Sequence, residues 1–285
     1  MTTPRELVEQ TTDLFSLPEV YLQVKAVVED PGASSADVAD AISIDPGLTA
    51  RLLKIANCPL FGCVAKMDSV ERAVNLLGMQ QVHYLTLATT AATSFKSVDV
   101  EGFSMYHFWT NSVYSATVAN LLGVRSRSFD SGTAFVAGLL RDIGHLVMYQ
   151  TVPEKTNAAR LAAQTRGIPL AQSEREILGF DYTQIGAQWV QCWQLPDSLY
   201  EAIHYQCAPT LASRHQQDAA IMYLSARGTE AWSEGDLETP EEWAIDQLVL
   251  DIVEMNLDDV KDVASDAATT AVQTLDLLMT RQAAA

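Results

Sequence analysis

Apolar side chains recur along nearly all of this chain at spacings of three and four, and the residues that interrupt them are those that begin and end helices, so the pattern points to an all-α fold. Thr3-Pro4-Arg5-Glu6 offers an N-cap threonine, a proline at the first helical position and a glutamate three residues after the cap. Asp45-Pro46-Gly47 and Thr239-Pro240-Glu241-Glu242 follow the same grammar. Leu48, Leu52, Ile55 and Ala56 mark one helical face, and Asn57-Cys58-Pro59 ends that helix because proline has no amide to donate. Asp68-Ser69-Val70-Glu71 opens the next, closed at Gly78. Periodicity predicts further helices over 82–95, 103–122, 132–150, 154–166, 170–178, 182–193, 197–206 and 212–226, then a last pair over 241–256 and 258–281. Few segments read as strands.

Composition narrows the function classes. With 285 residues, 48% of them hydrophobic, the chain can build one large core or two modest ones. Its 36 acids against 18 lysines and arginines give a net charge of −18, which repels a phosphate backbone and argues against nucleic acid as a partner. No run of about 18 consecutive apolar residues occurs, which argues against a membrane-spanning helix. The first eighteen residues carry scattered acids rather than the apolar run of a leader. Cys58, Cys63, Cys192 and Cys207 form no Cys-x-x-Cys pair, so they read as reduced thiols serving as small buried apolar residues. A cytoplasmic protein is the expectation.

Two composition shifts suggest seams. Lys96-Ser97-Val98-Asp99-Val100-Glu101-Gly102 is polar between two apolar helices, and residues 228–240 hold four acids, two glycines and a proline. The predicted division is an N-terminal helical sub-domain over 1–97, a helical bundle over 98–228, and an acidic linker with a C-terminal helical extension over 229–285.

A series of phrases then identifies the type of bundle. In order they are Leu17-Pro18, Asp45-Pro46-Gly47-Leu48-Thr49, Leu53-Lys54-Ile55-Ala56-Asn57 and Ser69-Val70-Glu71-Arg72-Ala73-Val74-Asn75-Leu76-Leu77-Gly78. Phe108-Trp109-Thr110-Asn111-Ser112, Gly138-Leu139-Leu140-Arg141-Asp142-Ile143-Gly144, Gly179-Phe180-Asp181-Tyr182 and Trp193-Gln194-Leu195-Pro196 follow. Over about residues 15–226 the series resembles the HDOD domain, the HD-related output domain of bacterial signalling proteins and a degenerate branch of the HD superfamily of metal phosphohydrolases.

The resemblance implies where metal ligands would stand. A histidine of the catalytic pattern falls on Asn111, the His-Asp pair on Arg141-Asp142, a further histidine on Tyr182, and a His-His pair on Gln206-Cys207; the lysine after the His-Asp pair falls on His145. Guanidinium has no lone pair to give and repels a cation, so Arg141 cannot replace the histidine. Asp142 alone remains a sound ligand, whereas divalent catalytic sites keep three or more. The resemblance therefore implies a pseudoenzyme with no metal and no cofactor. The competing reading is a divergent phosphohydrolase using Asp142, His145 and His107.

Asn111, Arg141, Asp142, His145, Tyr182, Gln206 and Cys207 form the candidate vestigial pocket. Arg141 has two readings, a salt bridge to Asp142 that takes the place of the lost cation, or a grip on an anion or nucleotide. His145, three residues after Asp142 on the same helical face, is expected to hydrogen-bond Asp142. His107 lies one turn before Asn111 and reaches the same pocket, while His204, about 200° around the helix from Gln206, points away. His83 and His215 show no partners. Trp189, Trp193, Tyr200 and Tyr205 read as core. Trp232 and Trp243 flank the acidic linker and pin the C-terminal helices. Val260, Val263, Ala267, Ala271, Leu275, Leu278 and Met279 form a stripe that docks on its own chain or on a second copy, giving a homodimer.

The expected function is signal transduction or regulation through contacts with other signalling proteins, the alternative being a nucleotide or anion sensor. With no receiver, kinase or cyclase segment in the sequence, its input is expected to arrive by binding.

Overall fold

The computed structural model describes residues 3–12, 19–57, 67–94, 103–126 and 131–279, and every regular element among them is helical. Helix starts follow the cap chemistry. At α1 (Pro4–Thr12) the Glu6 amide donates to Thr3 Oγ1 at 3.3 Å and the Thr3 amide donates to Glu6 Oε2 at 2.8 Å, a reciprocal capping box. Asp45 caps α4 (Pro46–Ala56) by accepting from the Gly47 and Leu48 amides at 2.7 and 3.1 Å. Ser69 caps α5 (Val70–Leu77), which ends on Gly78 with φ of 88°, a conformation costly for any residue with a Cβ.

By packing, the chain forms two units. The smaller comprises Leu17–Lys96 with Asp266–Ala285. In it α2 (Glu19–Val28) packs on α3 (Ser35–Ser43) and on α6 (Met79–Ser94), and α4 and α5 complete the cluster. Asn57 ties this unit together. Its Nδ2 donates to the carbonyls of Leu53 and Met67 at 2.6 and 2.7 Å, and its Oδ1 accepts from the Met67 amide at 2.7 Å. His83 meets the Tyr21 hydroxyl at 2.9 Å, so this histidine has a buried partner that the sequence does not reveal. Leu17, Pro18, Cys58, Cys63 and the polar run 96–102 lie outside the described residues.

The larger unit comprises Met1–Ser16 with Ser97–Ser265. Its central helix α7 (Met105–Ser126) packs against α8 (Ser131–Leu140) and α14 (Gln216–Glu234). A Cβ at Gly138 would stand 2.5 Å from the Ala116 Cα, so glycine is what lets α8 and α7 touch backbone to backbone. Around this pair run α9 (Ile143–Thr151), α10 (Pro153–Arg166), α11 (Leu170–Leu178), α12 (Tyr182–Cys192), α13 (Asp197–His204) and α15 (Gln247–Val253). The last helix, α16 (Leu257–Met279), belongs to this unit as far as Ser265. α1 packs on α9 and α12, and Tyr114, Phe135 and Trp189 are fully buried.

Four expectations need correction. The helix expected over 132–150 is two helices, broken at Arg141-Asp142, where the Arg141 carbonyl accepts from Gln206 Nε2 at 3.0 Å. The helix expected to stop at residue 226 continues as α14 to Glu234, because Gly228 is buried in its middle and gives Ala264 of α16 close approach. A packing glycine had the look of a linker. Residues 241–256 hold a 3-10 turn, Pro240–Glu242, and the short α15 rather than one helix. Cys192 and Cys207 are exposed, since Cys192 is the last residue of α12 and Cys207 lies beyond the end of α13 rather than on a buried face.

Trp232 stacks on Tyr114 with centroids 4.3 Å apart, and Trp243 is buried with its Nε1 donating to the Asp236 carbonyl at 3.0 Å. Val260, Val263, Ala267 and Ala271 are buried within the chain, while the side chains of Leu275, Leu278 and Met279 lie outside the described residues.

Candidate functional site

The break between α8 and α9 presents Arg141 and Asp142 in a turn. Arg141 Nε and Nη2 donate to the two oxygens of Asp142 at 3.1 and 2.6 Å, a bidentate fork between adjacent residues. Both side chains are largely withdrawn from water, with 9% and 17% of their surfaces exposed, so the pair interacts in a weakly screened environment. Burial works to raise the Asp142 carboxyl, but the adjacent guanidinium outweighs it and holds the group below the ordinary carboxylate value. Asp142 stands at the N-cap position of α9 yet makes no side-chain cap bond, because its oxygens are committed to Arg141.

His145 does not bond Asp142 as expected. Its Nε2 meets Glu174 Oε1 at 3.1 Å, and its ring stacks on Tyr182 with centroids 4.1 Å apart. The reason is α11, which brings a fully buried carboxylate to the far side of the imidazole while Arg141 takes both oxygens of Asp142. Glu174 also accepts from the Tyr182 amide at 2.9 Å, holding the start of α12. Burial disfavours the charged imidazole, but the Glu174 carboxylate, by charge and by hydrogen bond, raises His145 above 6.5.

A pH prediction follows from that direction. A histidine whose folded pKa exceeds its unfolded value contributes stability that is fully present below about 6.5 and is lost as pH rises through the folded value. Glu174→Gln keeps an acceptor for the Tyr182 amide and removes the charge. The stability advantage of the wild type over Glu174→Gln is therefore expected to be larger near about pH 6 than near about pH 8, read by urea unfolding. A difference that stays constant across that range contradicts the pairing.

The remaining candidates form a chain of contacts. Gln206 Nε2 donates to the carbonyls of Arg141 and Ile203, both at 3.0 Å, and the Tyr182 hydroxyl meets Cys207 Sγ at 3.5 Å. His204 stacks on Tyr200. His215 Nδ1 pairs with Asp218 at 3.2 Å, a partner not visible in the sequence.

Beside the Arg141–Asp142 pair lies a cavity of about 500 Å³. Phe103, Ser104, His107, Phe108 and Asn111 line it from the start of α7. Asp142, His145 and Tyr149 line it from α9 and the turn before it, and Arg160 from α10. Asn111, Asp142, His145 and His107 thus share one space, whereas Arg141, Tyr182, Gln206 and Cys207 stand outside its lining. Glu174, Tyr149 and Arg160 were missed from sequence. The one available signal was at Glu174, which with Ala171 falls on the buried side of α11, an acid where an apolar residue belongs.

The donor set does not suit a divalent metal. Both oxygens of Asp142 face Arg141, His145 Nε2 faces Glu174, and among the described residues no group of three or more His, Cys, Asp or Glu could hold an ion. No helix among the described residues is long and apolar enough to cross a membrane.

Comparison with known proteins agrees with this architecture. The HDOD domain matches residues 14–209. A candidate phosphohydrolase from Shewanella amazonensis superposes with a TM-score of 0.75 at 25% identity, over 95% of this chain and 98% of that one. A candidate signal transduction protein from Marinobacter aquaeolei gives 0.72 at 25% identity, over 95% of this chain and 60% of that one. An HDOD domain protein with unknown function from Geobacter sulfurreducens shares the fold at 18% identity, with a TM-score of 0.72 over 97% of this chain and 98% of that one. No curated protein matches the chain.

Proposed function

This chain belongs to the HDOD domain family, and from that premise we propose that it is a regulatory protein that works through contacts with other signalling proteins and runs no reaction of its own. The observation that carries the reading is the fork from Arg141 to Asp142. A guanidinium fixed beside the last sound metal ligand supplies the positive charge that an ion would bring, and both carboxylate oxygens are occupied by it. The names of the related structures speak for signalling in Marinobacter and for hydrolysis in Shewanella. Donor chemistry favours the first. It also weighs against a nucleotide sensor gripping phosphate through Arg141, since that side chain is buried and engaged.

Protein purified without added metal is expected to carry no stoichiometric iron, manganese, nickel or zinc by elemental analysis. Hydrolysis of bis(p-nitrophenyl) phosphate is expected at background, equal in the wild type and in Asp142→Ala. One equivalent of metal, or turnover that Asp142→Ala removes, overturns the reading.

A further inference from the structure

The charges around the cavity cancel in pairs, with one left over. Arg141 matches Asp142 and His145 matches Glu174. Among the described residues no carboxylate lies within ion-pair distance of Arg160. Its Nε and Nη2 donate to Asn157 Oδ1 at 3.2 and 2.8 Å and its Nη1 to Gln164 Oε1 at 3.4 Å, all neutral amide oxygens of its own helix, and it shares the cavity wall with the Tyr149 phenol. Among the described residues of the larger unit, every other arginine lies within ion-pair distance of an acid: Arg5, Arg125, Arg141, Arg166, Arg175, Arg214 and Arg227. In the larger unit of a chain with 36 acids and 18 bases, Arg160 is thus set apart from the other described arginines, and it stands half-buried in the wall of a cavity.

The rest of the lining defines what that charge faces. The Phe103 and Tyr149 rings lie 4.5 Å apart with Phe108 beside them, an apolar wall, while Ser104 and Asn111 add hydrogen-bonding groups. A volume of about 500 Å³ suits a small molecule. Asp142 also lines the space, but its charge is matched by Arg141, so Arg160 is left with one positive charge, which suits a monoanion. We propose that this cavity binds a small organic monoanion, its carboxylate on the Arg160 guanidinium and its flat apolar body against Phe103 and Tyr149. The Nε and Nη2 edge already holds Asn157, so a carboxylate would meet the guanidinium through an N–H left at its Nη end, and the amides that fix the group reduce the ordering cost of binding. The inference rests on the reading that Arg141 and Asp142 neutralise each other. It differs from the sensor expected from sequence in placing the anion on Arg160 rather than on Arg141.

The test is calorimetric titration and thermal melting of the full chain with phenylacetate, indole-3-acetate, the uncharged phenylacetamide, adenosine monophosphate and inorganic phosphate. At least one of the two carboxylates is expected to bind saturably and raise the melting temperature, with phenylacetamide weaker by about tenfold or more. Arg160→Gln is expected to weaken that carboxylate by about tenfold or more while the unliganded variant melts close to the wild type. Should the variant fail to fold, the acid-against-amide comparison on the wild type decides alone. Equal binding of acid and amide, undiminished binding in a folded Arg160→Gln, no binding of either carboxylate at millimolar concentration, or preference for the phosphates overturns the proposal. Elemental analysis of the same preparation separates this failure from failure of the non-catalytic reading, since a metal on Asp142 would be detected whatever the titrations give.

Discussion

Gly144→Ala is expected to destabilise the larger unit by about 3 kcal/mol or more, since the added carbon meets backbone more closely than at the other described glycines with a close contact. An added Cβ would stand 2.0 Å from the Tyr182 carbonyl oxygen and 2.9 Å from the Gly186 amide nitrogen. Both are backbone atoms of α12, so no rotamer change relieves the overlap, and α9 and α12 must part. The parting also draws the Tyr182 amide from Glu174 and its ring from His145. Gly179→Ala is the control. Gly179 has φ of 88° with nothing within 4 Å of the added carbon, so only the left-handed backbone penalty applies, about 1 kcal/mol. Urea unfolding of the two variants side by side tests the argument, and a Gly144→Ala protein as stable as Gly179→Ala refutes it.

Arg141→Ala is expected to cost about 3–5 kcal/mol, because it leaves the Asp142 carboxylate largely buried with its cation gone. Arg141→Met combined with Asp142→Asn is expected to regain most of that loss, since a buried ion pair replaced as a pair is close to neutral. The pH dependence has a definite sign. Asp142 is held below its ordinary value of 3.8, so the stabilisation is present above that value and disappears as pH falls through the lower folded-state value. Arg141→Ala removes this acid limb as well as the stability. Denaturant unfolding of the wild type, the single and the double variant at neutral and acidic pH measures both effects. A double variant no more stable than Arg141→Ala rejects the account.

How much of this was legible in the sequence depended on how local the cause is. Caps and terminators act within a few residues, so α5 between Ser69 and Gly78 and the boundaries of α11 follow from the chain alone. Arg141 and Asp142 are neighbours, and opposite charges on adjacent side chains pair across the turn. The break between α8 and α9 was not legible, because Arg141-Asp142-Ile143 is compatible with continued helix and the partner that relieves the Arg141 carbonyl, Gln206, is 65 residues away. Glu174 was missed for the same reason, being 29 residues from the imidazole it holds. Gly228 misled because glycine marks both chain flexibility and close helix contact, and only packing separates the two. Arg160 carries no local signal, since its importance lies in which acids are absent around it.

The fork between Arg141 and Asp142 also means that no single exchange would build an ion site at this turn. Exchanging arginine for histidine alone would give back one imidazole beside one carboxylate, while His145 stays bound to Glu174 and positions 111 and 182 still present an amide and a phenol. Two donors fall short of the three a catalytic ion needs, so the intermediate would lose its counter-charge and gain no ion. On the non-catalytic reading proposed above, an ion site at this turn would therefore need several exchanges at once rather than one.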